Sequence, residues 1–173
     1  ELEVAAERLA AAGGGHLPLV AVLESPAAFL GLRDIVEAEA PLAGFTMGPF
    51  DLTRALGASR RDDRDPVLAA RTWALMAARA RGIAMIDGPA DARLSAAVTQ
   101  AAFAEARAMG FDGKIVTRLP EAAVVARLFT PSEDETKLAG LIVAAFAADP
   151  GAALAVLETG ASVAAGNLAW AAR

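Results

Sequence analysis

Apolar residues along this chain form short uninterrupted runs that alternate with longer amphipathic stretches. The runs do not alternate with polar residues, so they predict strands buried on both faces, at 18–23, 42–47, 83–87 and 114–117. Alanine-rich stretches between the runs predict helices, at 2–12, 27–38, 51–56, 65–81, 93–109, 120–128, 132–148 and 163–172. Strands spaced by helices predict βα units and a parallel sheet.

Composition narrows the class of protein. Of the 173 residues, 55% are hydrophobic, which is enough to bury a sizeable core. The arginine-rich run at 59–65 is interrupted by aspartates, so we expect it to be a solvated loop. Because the net charge is −5 and no other basic cluster occurs in the sequence, we expect no nucleic-acid partner. No run of about 18 apolar residues occurs, so we expect no membrane span. Cysteine is absent, which excludes disulfides and thiolate metal sites and favours a cytoplasmic location.

Two carboxylates follow consecutive predicted strands. Glu24 comes directly after the first strand, and Asp51 follows the second within a few residues. Because consecutive parallel strands are usually neighbours and their carboxyl ends share one rim, we expect both side chains there. Two carboxylates with nothing obvious to neutralise them favour Mg²⁺, which takes one or two carboxylates and keeps positions for water and substrate oxygens. The pattern alone leaves open that Glu24 is a helix-capping or solvated residue.

Five short motifs occur along the chain in a definite order and spacing. They are a strand ending in Glu-Ser, a Gly-x-x-Asp segment, an Ile-Asp-Gly strand, a Gly-Phe-Asp-Gly-Lys segment and a Phe-Thr-Pro-Ser segment, at 24–25, 48–51, 86–88, 110–114 and 129–132. No single motif is specific, but the set in this order resembles the citrate lyase beta-subunit family. That family lies within the HpcH/HpaI aldolase group, which also holds malyl-CoA lyases.

The resemblance implies an α/β fold, the C-terminal part of a TIM-type (β/α)8 barrel, with Mg²⁺ at its C-terminal rim. The family's metal-binding Glu and Asp correspond to Glu24 and Asp51. The implied enzyme is a magnesium-dependent carbon–carbon lyase. It cleaves a β-hydroxy acyl thioester, carried on CoA or on a carrier protein, into an acyl thioester and a keto acid. We assign no catalytic acid or base.

A third carboxylate, Asp87, ends the third predicted strand at the same rim. This position makes it a candidate substrate-binding residue with a supporting role near the site. The alternative is that Asp87 caps the turn formed by Gly88 and Pro89.

Only four strands are predicted, whereas the family barrel has eight, and these four resemble the last four. We therefore expect residues 1–130 to be the second half of a (β/α)8 barrel and residues 131–173 to be a C-terminal helical extension. The chain begins inside a predicted helix, so we expect the first half of the barrel either to precede it in a longer protein or to come from a separate chain. We also expect a homo-oligomer.

Two segments depart from the family pattern. The family often has Ile-His-Pro-x-Gln after its Gly-Lys, whereas this chain has Val-Thr-Arg-Leu-Pro at 116–120. Many relatives carry an Asp near the C-terminus that serves thioester hydrolysis or proton transfer, and Ala164 stands in its place. Thioesterase or malate-synthase-like activity is therefore not expected. The alternative to a lyase is a catalytically silent member that acts as a binding or assembly subunit.

Overall fold

A computed structural model describes residues 1–59 and 65–172, so most of the arginine-rich run predicted to be a solvated loop lies outside the described residues. The described residues form two compact units, Glu1–Phe129 and a second unit that begins at Thr130. Each unit has a hydrophobic core of its own.

The first unit is built on one parallel sheet of four strands. In chain order the strands are β1 (Leu19–Leu23), β2 (Leu42–Met47), β3 (Ala84–Asp87) and β4 (Gly113–Lys114). They are hydrogen-bonded in the order β1-β2-β3-β4, so consecutive strands are neighbours throughout. The predicted parallel α/β arrangement is confirmed, although β4 is only two residues long instead of the four predicted.

Helices connect and flank these strands. They are α1 (Leu2–Leu9), which runs into a π-helical turn (Ala10–Gly14), α2 (Pro26–Leu30), α3 (Leu32–Glu37), α4 (Pro49–Ala55), α5 (Leu68–Arg81), α6 (Ala96–Met109) and α7 (Leu119–Phe129). The prediction of a single helix at 27–38 was wrong, because the helix is interrupted at Gly31 and forms two shorter helices, α2 and α3. The helix predicted from Asp51 begins earlier, at Pro49, whose fixed φ suits a first helical position. Within the described residues, no helix combines the length and the apolar character that crossing a membrane requires.

The two faces of the sheet differ in burial. On one face Leu23, Phe45 and Met85 are buried in a core with residues of the flanking helices, including Ala74 and Ala78 of α5. Because side chains alternate along a strand, the residues between them face the other way. On that second face the β1 side chains of Val20 and Val22 are 57% and 51% exposed. The described residues therefore leave the β1 end of this face uncovered.

The second unit contains two helices and a short hairpin. It consists of α8 (Glu133–Phe146), β5 (Leu154–Val156), the antiparallel β6 (Ser162–Ala164) and α9 (Ala165–Ala171). A capping box starts α8: the Ser132 hydroxyl accepts from the Glu135 backbone N–H, and the Glu135 carboxylate accepts from the Ser132 backbone N–H. The helix predicted from residue 163 starts at Ala165, and the hairpin before it was not predicted.

Candidate metal site at the carboxyl end of the sheet

Glu24 leaves the sheet at the end of β1, where the next residues turn the chain into α2. The Ser25 hydroxyl accepts a hydrogen bond from the backbone N–H of Ala28 (3.2 Å), and Pro26 occupies the first helical position. The turn therefore satisfies its own polar groups and does not need the Glu24 side chain as a cap. Glu24 is exposed, and within residues 1–59 and 65–172 no donor or cation pairs with its carboxylate. Its oxygens are therefore available to a ligand.

Gly48 brings Glu24 against the segment that carries the second candidate ligand. The backbone N–H of Gly48 donates to the Leu23 carbonyl at 3.1 Å, which ties the end of β2 to the end of β1. A Cβ atom at Gly48 would lie 2.4 Å from the Glu24 Cβ and 2.6 Å from Glu24 Oε2. Both distances are shorter than real Cβ contacts, so the Glu24 side chain can lie here only because residue 48 is glycine.

Asp51 lies in the first turn of α4, three residues after Gly48. Its Oδ1 accepts a hydrogen bond from Arg54 Nη1 at 2.6 Å. The Arg54 and Asp51 side chains are 77% and 55% exposed, and pairs this exposed contribute only about 0.2–1 kcal/mol. A bound cation could therefore displace Arg54 from this carboxylate at small cost. Asp51 lies within the helix that the sequence predicted at 51–56, although that helix begins two residues earlier.

The donor set of this rim fits magnesium better than it fits zinc. The described part of the chain contains no cluster of three or more His, Cys, Asp or Glu side chains able to hold a metal. Structural and catalytic zinc sites use three or four protein ligands, mostly His and Cys. Magnesium is commonly held by one or two carboxylates, with water and substrate oxygens in its other positions. Glu24 and Asp51, at the same end of neighbouring strands, match that requirement, and their assignment as ligands stays a prediction.

Asp87 has a different environment, although it ends β3 at the same rim. It is buried and its oxygens accept four hydrogen bonds. Arg71 Nε and Nη2 donate at 3.3 and 3.0 Å, Lys114 Nζ donates at 2.6 Å, and the Gly88 backbone N–H donates at 3.0 Å. The bond from Gly88 agrees with the turn-capping alternative for Asp87. Its predicted contact with substrate stays a prediction.

The pKa values of the two cations on Asp87 shift in opposite directions overall, although burial acts to lower both. Burial lowers the pKa of the Lys114 ammonium below its ordinary value, and attraction to Asp87, its one ion-pair partner among the described residues, offsets only part of this effect. Burial also acts to lower the pKa of the Arg71 guanidinium, but the pKa is raised overall. Arg71 has three carboxylates around it, since Asp65 and Glu105 accept from its Nη1 at 3.1 and 3.3 Å in addition to Asp87.

Sequence reasoning missed Arg71 and the roles of Gly48 and Gly88. Arg71 lies on the face of α5 that also carries the buried residues Ala74, Leu75 and Ala78. A charged residue on an apolar helix face indicates a buried ion pair, and this pattern was present in the sequence. Both glycines precede a proline directly after a strand, and this repeated Gly-Pro pair was a signal for close backbone approach.

Known proteins resemble this chain in both sequence and structure. It is 35% identical over 130 residues to the (3S)-malyl-CoA thioesterase of Cereibacter sphaeroides, covering 75% of this chain and 45% of that protein. It is 32% identical over 132 residues to the citrate lyase subunit beta of Escherichia coli, covering 76% of this chain and 43% of that protein. The chain thus spans about half the length of the curated relatives it matches.

The crystal structure of CitE from Mycobacterium tuberculosis in complex with magnesium, acetoacetate and coenzyme A superposes with a TM-score of 0.65. The sequences are 27% identical, and the superposition covers 90% of this chain and 58% of CitE. The fold is therefore that of part of a citrate lyase beta-type barrel. The pattern of the HpcH/HpaI aldolase/citrate lyase family matches residues 4–118. The chain belongs to the HpcH/HpaI aldolase/citrate lyase family.

Proposed function

We propose that this chain carries the metal-binding rim of a magnesium-dependent carbon–carbon lyase, with Glu24 and Asp51 as the protein ligands of the ion. The substrate would be a β-hydroxy acyl thioester on CoA or on a carrier protein, and the products an acyl thioester and a keto acid. Relatives named citrate lyase subunit beta, and the CitE structure with magnesium, acetoacetate and coenzyme A, support this chemistry.

The observation that carries the proposal is the contact between Glu24 and Gly48. Glu24 Oε2 would lie only 2.6 Å from a Cβ at Gly48, and Asp51 follows Gly48 by three residues at the start of α4. A carboxylate without a hydrogen-bond donor among the described residues is thus held next to the helix turn that presents a second carboxylate. Glu24 has no cation partner among the described residues and Asp51 has only the exposed Arg54, so a cation between these neighbouring segments would relieve their mutual repulsion, which supports the metal assignment.

The proposed reaction breaks the bond between the carbon that bears the hydroxyl and the α-carbon of the thioester. The hydroxyl loses its proton and becomes the carbonyl of the keto acid, while the electron pair of the broken bond forms a thioester enolate that is then protonated. When bound, Mg²⁺ supplies Lewis-acid stabilisation of the oxyanion that develops on the hydroxyl oxygen. Glu24 and Asp51 hold and orient the ion at the rim.

The experiment is a cleavage assay on the full-length protein with malyl, citramalyl and citryl thioesters, with Mg²⁺ and after its removal by a chelator. We expect keto acid to form together with an equal amount of acyl thioester, only when Mg²⁺ is present. Isothermal titration of the metal-free protein with Mg²⁺ gives an independent readout. Cleavage that survives chelation, or no Mg²⁺ binding, would contradict the proposal.

Two other outcomes correspond to different functions. A thioesterase would release free thiol without keto acid, as the name of the Cereibacter relative suggests for that protein. We do not propose this for the present chain, because Ala164 stands where the resemblance expects the Asp that serves hydrolysis. A silent binding or assembly subunit is the second candidate, supported by Ala164 and by the altered segment at 116–120. It would bind Mg²⁺ and form neither product.

We also propose that a further β/α segment covers the open face of the sheet, and that the assembled protein is a cytoplasmic homo-oligomer. Val20 and Val22, more than half exposed on one face of β1, support the first part, since apolar strand surface and a free strand edge favour association. Expressing residues 1–173 alone tests it. A sharply melting monomer would contradict this proposal, whereas aggregation relieved by adding the family's first half-barrel would support it.

A further inference from the structure

The buried ion-pair cluster around Asp87 ends at the turn that contains Gly88. The Asp87 side chain is 4% exposed and the Lys114 and Arg71 side chains are each 6% exposed, so these charges are held well away from solvent. Asp87 Oδ1 also accepts the backbone N–H of Gly88 at 3.0 Å. Because Arg71 Nε donates to the same oxygen, the position of Gly88 is coupled to the cluster.

Gly88 in turn contacts the start of the helix that carries Asp51. A Cβ atom at Gly88 would lie 2.4 Å from Pro49 Cδ and 2.5 Å from the Met47 carbonyl oxygen. The backbone of Gly88 therefore packs directly against the end of β2 and the first residue of α4. Pro49 has a fixed φ and Asp51 is two residues further on, so a shift of Pro49 moves Asp51 with it.

We propose that Asp87 is a positioning residue that acts through Gly88 and Pro49 to place Asp51 for metal binding. This inference rests on the proposed function, since it assumes that Asp51 is a magnesium ligand. Arg71 and Lys114 fix the Asp87 carboxylate, Asp87 fixes the Gly88 turn, and Gly88 supports Pro49. Magnesium requires near-octahedral geometry, so a small displacement of one ligand weakens its binding.

The test measures metal affinity, not activity, in the full-length protein. Mg²⁺ dissociation constants come from calorimetry, and Mn²⁺ binding from its electron paramagnetic resonance signal, since Mn²⁺ prefers similar oxygen ligands. Asp87→Asn keeps the size of the side chain but removes the charge that holds the two cations. Gly88→Ala leaves the ion pairs and introduces a Cβ against Pro49. We expect each variant to weaken metal binding about 10-fold or more, as loss of a residue that orients a ligand does.

Two control variants separate positioning from a loss of stability. Asp112→Asn removes the charge of another carboxylate that, like Asp87, accepts hydrogen bonds from an arginine and from a backbone N–H. Asp112 accepts from Arg79 at 2.7 and 2.9 Å and from the Met85 N–H at 2.8 Å, and these bonds do not involve the Gly88 turn. Gly113→Ala adds a Cβ on the neighbouring strand, where the nearest atom is the flexible end of Ile86 at 3.1 Å. We expect both controls to retain wild-type metal affinity, even where Asp112→Asn lowers the melting temperature.

The metal affinities of the wild type and the four variants decide whether Asp87 positions Asp51. Weaker metal binding in Asp87→Asn and Gly88→Ala, with wild-type affinity in both controls, supports the inference. Wild-type affinity in Asp87→Asn or in a folded Gly88→Ala would overturn it, as would equal weakening in Asp112→Asn. If Gly88→Ala does not fold, Asp87→Asn and Asp112→Asn decide the question. If the wild-type protein binds no Mg²⁺, the proposed function fails, and the inference fails with it.

Discussion

Replacing Gly48 by alanine is the most direct test of the contact that holds Glu24. The new Cβ would lie 2.4 Å from the Glu24 Cβ and 2.6 Å from its Oε2, whereas ordinary contact begins at 3.4 Å. The Glu24 Cβ must therefore move by about 1 Å, and a side-chain rotation cannot move it because it is bonded to the backbone. Functional groups must stay within about 0.5 Å of their working geometry, so this displacement is too large for a shared metal site.

We expect the Gly48→Ala variant to bind Mg²⁺ about 10- to 100-fold more weakly, the loss typical when the support of a metal ligand is disturbed. That range corresponds to about 1.4–2.8 kcal/mol of binding free energy. The free energy of unfolding should also fall, by about 1–3 kcal/mol, because the added methyl group overpacks the junction of β1 and β2. Calorimetric titration gives the first quantity, and urea unfolding without metal gives the second.

Gly31→Ala is the matched control for this variant. Gly31 lies between α2 and α3 with a φ of −97°, and its nearest atom to a new Cβ would be the Ala27 carbonyl oxygen at 3.5 Å. The control should bind Mg²⁺ with wild-type affinity. If Gly48→Ala also binds Mg²⁺ as the wild type does, Glu24 is not a ligand held by Gly48, and the site assignment is refuted.

Three further predictions concern the carboxylates and cations of this rim. Asp51→Ala should abolish Mg²⁺-dependent cleavage while lowering the unfolding free energy by no more than about 1 kcal/mol, because the ion pair with Arg54 that it loses is exposed. The control variant Arg54→Ala should still bind Mg²⁺. Wild-type turnover by Asp51→Ala would exclude a metal-binding role for Asp51. Arg71→Met should lower the unfolding free energy, measured by urea titration, by about 3–5 kcal/mol, because it leaves the buried Asp87 carboxylate with one cation fewer. A loss below about 1 kcal/mol would show that the ion pairs around Asp87 contribute little to stability. Because the pKa of Lys114 is lowered in the folded state, the unfolded chain binds more protons at pH values between the folded and unfolded pKa of Lys114. The unfolding free energy of the wild type, measured relative to Lys114→Met, should therefore rise with pH in that alkaline window. If this free-energy difference falls with pH, the pKa of Lys114 is raised instead.

The parallel sheet could be predicted because its strands carry their own signal. Each long strand is a mostly apolar run, and the helices between them are long enough to cross over to a parallel neighbour. The boundaries were less predictable where a local interaction decides them. Pro49 starts α4 two residues before the predicted position, and Gly31 divides one predicted helix into two. The hairpin of β5 and β6 was missed because its strands are three residues long and lie in an alanine-rich segment.

The candidate ligands could be named from the sequence because strand ends are recognisable, but their supports could not. Gly48 and Gly88 act through the absence of a Cβ atom, and the distances that make this absence necessary arise only when neighbouring strands are in register. Arg71 reaches Asp87 across 16 positions of the chain, so no local pattern connects them. Sequence reasoning therefore found the groups that offer oxygens, and the structure was needed for the groups that hold them.

The three carboxylates at this rim differ in the one property that decides whether they can bind a cation. Asp87 has four hydrogen-bond donors on its two oxygens, and two of the donor groups are the cations Arg71 and Lys114, so a metal ion there would meet occupied lone pairs and positive charge. Glu24 is held by contact with Gly48, a restraint that uses no oxygen lone pair. Asp51 gives up only one exposed ion pair. These differences support the proposal that a cation at this rim binds Glu24 and Asp51, whereas Asp87 holds the Gly88 turn.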